Sequence, residues 1–306
     1  MHITRICVIL TVALLLGACA GRKAAVYAPE QLLPSENALL WRISGKGMKQ
    51  ESYLYGTIHV IPKAEFRLSE QARAALERSR RVAFEIDMRD MTNLRAQFNM
   101  LGKASMRDGM TLSKLLSEED YQLVKTRMSE RGLPMIGPLE RVKPLFLSMM
   151  LGSDDEVGGS RQAMTSVEME LYRMCRKKRL ESAGLETIDY QLSLFDSIPY
   201  EAQARMLVEA VRGADANNAD ELSKMFEMYA RQDINAMQKS ISSDDEGLMK
   251  YERLLLTQRN QNWIPVMERM MREKTTFFAV GAGHLAGPQG VIALLRGRGY
   301  RVDAIQ

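Results

Sequence analysis

The chain has 306 residues, 46% of them hydrophobic and 26% charged, with 42 lysines and arginines against 38 aspartates and glutamates for a formal charge of +4. That length can bury a full core, and the composition is ordinary for a globular protein. Acids and bases interleave, as in Arg89-Asp90-Met91-Thr92-Asn93-Leu94-Arg95, and no long block of like charges occurs, which argues against nucleic acid as a partner.

The first segment departs from this average. Arg5 precedes an apolar run from Ile6 to Leu16, followed by Gly17-Ala18-Cys19. A run this short falls below the roughly 20 residues that span a bilayer and has the layout of a secretory signal. Leu16-Gly17-Ala18-Cys19 resembles the bacterial lipobox, which implies cleavage before Cys19 and lipidation of its thiol, a stable anchor when two or more acyl chains are attached. Ala20 after the cysteine implies, by the same resemblance, the outer membrane with the protein facing the periplasm. The expected division is a signal over 1–18, a lipidated tether over 19–38 and a single domain over 39–306. Cys7 leaves with the signal and Cys19 takes the lipid, so Cys175 stands alone in the mature chain; its place on an apolar helical face suits a small core residue.

Strands are expected at Leu40–Ser44 and Ser52–Gly56, then a helix over Ser69–Ser79 and a strand from Arg81 to Asp87. Period-two alternation puts Glu85 and Asp87 on one face of that strand, with Phe84 and Ile86 on the other. A long helical stretch follows, from about Met91 to Lys274, broken at Gly132-Leu133-Pro134, Gly158-Gly159, a short strand or turn at Gly184-Leu185-Glu186, and Ser197-Ile198-Pro199. Within it, Gln162–Lys178 reads as an amphipathic helix whose apolar face, Met164, Val167, Leu171, Met174 and Cys175, takes in Glu168. A carboxylate in such a stripe is costly unless paired or coordinating. Glu246–Arg272 reads the same way, with Arg259 and Asn262 inside the stripe of Leu248, Tyr251, Leu255, Val266 and Met270, and with Pro265 expected to bend the helix. The chain closes with a strand over Phe277–Val280, a glycine-rich turn, a helix over Gln289–Arg296 and a strand over Tyr300–Ile305. Terminal strands sharing one mixed sheet, capped at the strand ends by a large helical insertion, make an α/β or α+β fold.

Histidine usage points to chemistry. The chain has three histidines, and the signal carries His2 away. The remaining two lie in one pattern, Gly56-Thr57-Ile58-His59 and Gly281-Ala282-Gly283-His284, each directly after a strand. In open α/β sheets ligands lie beyond the carboxyl ends of strands, and neutral imidazole is the commonest side-chain ligand for a divalent transition metal. Two such histidines converging there, with Glu85 at a third strand end, make a candidate metal centre. Arg259 calls for a carboxylate or an oxyanion. Gly281-x-Gly283-x-x-Ala286 mimics a dinucleotide fingerprint, but Pro288 interrupts the helix start and the chain stops three residues past Asp303, which leaves no second half for such a domain. The 22 methionines suit an adaptable core.

Leu40-Trp41-Arg42-Ile43, Tyr53-Leu54-Tyr55-Gly56-Thr57-Ile58-His59, Phe84-Glu85-Ile86-Asp87, Gly184-Leu185-Glu186-Thr187, Gln191-Leu192-Ser193-Leu194-Phe195-Asp196, Arg259-Asn260-Gln261-Asn262-Trp263 and Val280-Gly281-Ala282-Gly283-His284-Leu285 resemble, in that order, the TraB/GumN family. That family includes the Tiki metalloproteases and is related to the ChaN-like and erythromycin-esterase-like fold. The resemblance implies a metal-dependent hydrolase with His59, His284 and Glu85 at its centre, a divalent ion that is manganese, cobalt or zinc, and a peptide or protein substrate. Glu186 or Glu168 is then the expected general base, and Arg259 the group that steadies a developing oxyanion. ChaN-like relatives imply a competing reading, a surface lipoprotein that holds metal or haem without turnover. The methionine-rich helices suggest a third, peptide sequestration.

Overall fold

The computed structural model describes residues 25, 27–92, 102–130, 132, 137–151, 156–157, 160–161, 163–213, 218–242, 251 and 253–306. His2 and Cys19, and with them the signal and lipidation readings, lie outside the described residues.

Six strands form one mixed sheet: β1 (Leu40–Gly45), β2 (Ser52–Thr57), β3 (Arg81–Ile86), β4 (Glu181–Glu186), β5 (Thr276–Gly281) and β6 (Tyr300–Ile305). Their spatial order is β6-β1-β2-β5-β3-β4. β1 pairs antiparallel with both β6 and β2, whereas β2, β5, β3 and β4 run parallel. N- and C-terminal strands thus interleave, and the carboxyl ends of four parallel strands share one edge. The register sets Thr57 beside Gly281 and Ile86 beside Glu186. Helices cover both faces of such a sheet, so its central strands are apolar throughout instead of alternating; every residue of β2 is buried, and all of β3 but its last.

The flanking helices begin where capping side chains allow. Ser69 accepts from the backbone of Ala72 to start α1 (Glu70–Arg78), and Ser166 accepts from Met169 to start α2 (Val167–Lys177). The cap satisfies one orphan N–H of the first turn. This corrects the expected helix from Gln162: Met164–Thr165 is a short strand paired with Ile61–Pro62, and the helix starts only after the serine. Gly184-Leu185-Glu186 likewise belongs to the full six-residue edge strand β4, which leads through the Thr187 cap into α3 (Ile188–Leu194).

The long helix expected from Glu246 differs in phase. Residues 243–250 lie outside the described set; Arg253–Thr257 is a π-turn, and α4 (Gln258–Glu273) runs on through Pro265. A π-turn holds one residue more than an α-turn, so the stripe read from Leu248 and Tyr251 slips by about one position. Asn260 joins Arg259 on the buried face and Trp263 takes the place of Asn262, which is exposed and donates to the Tyr190 hydroxyl.

The sheet core gathers Trp41, Leu54, Phe84, Phe277 and Phe278 with Trp263 and Met267 of α4. A separate core, with Met106, Leu112, Val124, Met128, Leu147 and Leu207, lies within the helical middle. Cys175 is buried. α5 (Val291–Gly297) carries the buried Arg296, which donates to the carbonyls of Gln31, Leu33 and Val302 and so docks the segment ahead of β1 on the body. Among the described residues no helix is long and apolar enough to cross a membrane.

Candidate metal centre at the strand ends

β2 ends at Thr57, and the chain turns outward to present His59. β5 ends at Gly281 and enters a 3-10 turn over Ala282–His284 that folds His284 back beneath α4. Glu85 is the penultimate residue of β3 and Glu186 the last of β4. The glycines serve close approach, not unusual backbone angles: Gly281 has φ −50°. A Cβ on Gly281 would meet Glu85 Oε1 at 3.3 Å, and one on Gly56 would meet the Cβ of Ala282 at 3.1 Å. Adjacent strand ends are packed so closely here that an added Cβ would require Ala282 or Glu85 to give by a few tenths of an ångström.

Arg259, in the first turn of α4, spans the two carboxylates. Its Nη2 donates to Glu85 Oε2 at 2.5 Å and to Glu186 Oε1 at 2.7 Å, and its Nε donates to Glu186 Oε1 at 2.9 Å. Nη1 donates to the Leu255 carbonyl and stands 3.3 Å from His284 Nε2. Glu85 Oε1 accepts from the backbone of Gly281 at 2.8 Å and lies 3.7 Å from His284 Nε2; Gln191 of α3 approaches Oε2 at 3.4 Å. Glu186 Oε2 accepts from Trp263 Nε1 at 2.9 Å. His284 Nδ1 is 2.6 Å from Asn260 Oδ1, and its ring packs on Trp263 with centroids 4.5 Å apart.

His59 occupies a different environment. Its side chain is 73% exposed, against 6% for His284. Its Nδ1 lies 2.9 Å from Glu168 Oε1, and that oxygen also accepts from Thr57 Oγ1, while Glu168 Oε2 accepts from Ser166 Oγ, each at 2.7 Å. The carboxylate that the sequence leaves inside an apolar stripe is therefore satisfied by one imidazole and two hydroxyls.

The protonation states follow these surroundings. The Glu168 hydrogen bond and charge push the His59 imidazole up to about 9. Burial pushes His284 down to about 3, despite the nearby Glu85. Burial would raise Glu85, but Arg259, His284, His59 and the Gly281 N–H together hold it below the usual carboxylate range. Burial raises Glu186 above its ordinary value even against Arg259 and Trp263. Burial likewise acts against ionised Glu168, and His59 with the two hydroxyls more than offsets it. Neutral His284 and anionic Glu85 are the forms that bind a cation.

His59, Glu85 and His284 thus lie within reach of one another's charges. Among the described residues, no three His, Cys, Asp or Glu side chains are close enough together to hold an ion as they stand. The donor chemistry still fits a divalent metal. Each imidazole has Nδ1 against an oxygen acceptor, as ligating histidines do through their outer partners, and a carboxylate lies beside one of them. Asp87, the other acid of β3, belongs elsewhere: it accepts from Arg89 and Ser182.

Asn260, Trp263, Gln191, Thr57 and Ser166 also line the site without having been singled out as candidate site residues. Thr57, Gln191, Asn260 and Trp263 fall within the motifs that resemble the family, and Asn260 also adjoins Arg259 on the helix; Ser166 left no such signal.

The TraB/PrgY/gumN family model matches residues 39–304. Metalloprotease TIKI1 of Danio rerio is 23% identical over 317 residues, covering 87% of this chain and 63% of that protein. TIKI1 of Homo sapiens is 22% identical over 340 residues, covering 94% of this chain and 66% of that protein, and TIKI2 of Danio rerio is 20% identical, with 87% and 61% covered. The chain therefore spans about three-fifths of the length of these curated relatives. No solved structure matches. With a family model covering nearly all of its folded part, the chain belongs to the TraB/PrgY/gumN family.

Proposed function

We propose that the chain is a metal-dependent hydrolase of peptides or proteins, working at the carboxyl edge of the parallel strands. One observation carries the reading: a buried neutral imidazole, His284, and an ionised carboxylate, Glu85, have their atoms 3.7 Å apart, beside an arginine and in reach of a second histidine's charge. Packing alone does not call for this set at three strand ends and a helix start. The relatives' name, metalloprotease, supports the same class of reaction.

His59 Nε2, His284 Nε2 and Glu85 would hold the ion, which would supply Lewis-acid chemistry: a more acidic water and a polarised scissile carbonyl. Glu168 fixes the orientation of His59 through Nδ1. Arg259 is held between two carboxylates and keeps its charge, and the Nη1 N–H that now points to His284 is the one that could steady an oxyanion. Ligation through His284 Nε2 requires Arg259 Nη1 to give up that lone pair and turn towards substrate. Glu186 is the carboxylate suited to take up a proton, at the Oε2 that Trp263 Nε1 now contacts, because burial already favours its protonated form. The lipobox-like sequence further supports anchorage through Cys19 at the outer membrane.

The test is hydrolysis of a mixed peptide library by the purified protein, with and without chelator and after adding back manganese, cobalt or zinc. Cleavage that chelator abolishes and metal restores is expected, and is absent from His284→Ala. Bound metal without turnover would overturn the hydrolase in favour of a binder. Acyl incorporation that a Cys19→Ala variant lacks tests the anchor.

A further inference from the structure

Asn260 follows Arg259 in the first turn of α4, and the two grip opposite nitrogens of one imidazole. The Asn260 Nδ2 donates to the Gln289 carbonyl at 2.8 Å and to the His284 carbonyl at 3.4 Å. Carbonyls only accept. Turning the amide round would set its oxygen against two other oxygens, so these bonds decide which end faces the ring. Oδ1 faces the ring, 2.6 Å from Nδ1, and an amide oxygen cannot donate, so Nδ1 carries the hydrogen. Arg259 gives the same answer from the other side. Its Nη1 lies 3.3 Å from Nε2, and a guanidinium only donates, so Nε2 must be the acceptor. Two neighbours on one helix require the same tautomer independently.

We infer that Asn260 is a positioning residue that holds His284 as its Nδ1–H tautomer, so that Nε2, which accepts from Arg259 and lies beside Glu85, keeps the lone pair that would ligate a divalent cation once Arg259 turns away. An unconstrained histidine exchanges between tautomers, and only the lone pair of the unprotonated nitrogen binds metal. Asn260 also ties the ring to the loop it belongs to, through the carbonyls of His284 and Gln289, and so fixes ring orientation and tautomer together. Glu168 acts on His59 in the same sense from α2. One acceptor is neutral and serves a buried ring; the other is anionic and serves an exposed one. The matching is physical: Glu85 already lies beside Nε2 of the buried His284, and a second carboxylate at Nδ1 would add to the pull towards the cationic form, whereas an amide adds no charge.

This inference rests on the metal reading but can fail separately from it. The full-length chain is labelled with [15N]histidine, treated with chelator, and its imidazole nitrogens are read at neutral pH by two-bond proton–nitrogen correlation. His284→Gln identifies the His284 signals by their loss. The wild type is expected to show His284 protonated at Nδ1 and bare at Nε2. Asn260→Leu is expected to lose that single tautomer and to bind Zn2+ about 10- to 100-fold more weakly, the usual cost of removing a ligand's outer partner. Asn260→Asp keeps an acceptor and is expected to keep Nδ1–H. A wild-type His284 protonated at Nε2 would overturn the inference, and so would an Asn260→Leu variant with unchanged tautomer and Zn2+ affinity. If Asn260→Leu does not fold, the wild-type and Asn260→Asp spectra still decide. A wild type with the expected tautomer that binds no Zn2+ sinks the metal reading and leaves the role of Asn260 standing.

Discussion

The two edges of the parallel sheet carry the same motif and do different things with it. At the amino edge, Arg81 of β3 donates to Glu181 of β4 and Glu273 of α4; at the carboxyl edge, Arg259 of α4 donates to Glu85 of β3 and Glu186 of β4. The same two strands and the same helix supply one arginine between two glutamates at each end. The acids at the amino edge are 43% and 48% exposed, whereas those at the carboxyl edge are 8% and 5% exposed. Burial reverses the outcome for one of the two inner acids, while Glu85 is held below its usual range by Arg259 and its other neighbours. Glu181, bonded by Lys274 and Arg81, titrates below its usual range, whereas Glu186, one strand length away, is pushed above it by desolvation. Charges in water make a tie between elements; charges removed from water, with histidines beside them, make a site with unusual acidity.

The largest effect that separates the edges is loss of the arginine. Arg259→Leu leaves two glutamates buried without a counter-charge and is expected to cost about 3–5 kcal/mol. Arg81→Leu leaves glutamates that water can solvate and is expected to cost no more than about 1 kcal/mol. Urea unfolding midpoints compare them directly, and equal losses would erase the distinction.

Acid titration comes next. His284 is pushed down to about 3 in the folded chain, below its ordinary 6.5, so the unfolded chain binds the proton first. The stabilisation is present above about 6.5 and is lost as pH falls, by up to about 1.4 kcal/mol per pH unit until the folded value is reached. Chelator-treated protein should therefore melt at steadily lower temperature from pH 6 to pH 4, and His284→Gln should flatten that slope. An unchanged slope in the variant would place the acid sensitivity elsewhere. His59 has the opposite sign. Pushed up to about 9, it contributes stability below about 6.5 that fades as pH rises through 9, and its exposure keeps the contribution small.

The smallest stability change is expected at His59 itself. His59→Ala should alter stability by less than about 1 kcal/mol, yet weaken Zn2+ binding at least tenfold. Calorimetry measures both, and a large stability loss with unchanged Zn2+ affinity would make the residue structural.

The sequence made most of this edge legible. Counting histidines and noting the glycine three residues before each brought out His59 and His284, and strand placement brought out Glu85. The extents of β2 and β3 were readable because buried parallel strands are largely apolar, and those of β1 and β6 because apolar residues alternate there with the outward Arg42 and Arg301. What escaped was set by phase and by capping. After the π-turn at Arg253–Thr257 the buried face of α4 takes in Asn260 and Trp263 and leaves Asn262 outside, and no single-period pattern anticipates an extra residue in a turn. Ser166 ended the apparent helix from Gln162 because a hydroxyl cap competes with helix continuation. The repeated Gly-x-x-His pattern implies two equivalent imidazoles, but burial after folding makes one exposed and readily protonated and the other buried and neutral.

The central claim is that His59, Glu85 and His284 together hold a single divalent ion. Isothermal titration of metal-free wild type, His59→Ala, Glu85→Gln and His284→Ala with Zn2+ tests it most directly. The expected result is one equivalent bound by the wild type, with affinity reduced at least tenfold in every variant. No binding to the wild type, or binding that survives all three substitutions, would contradict it.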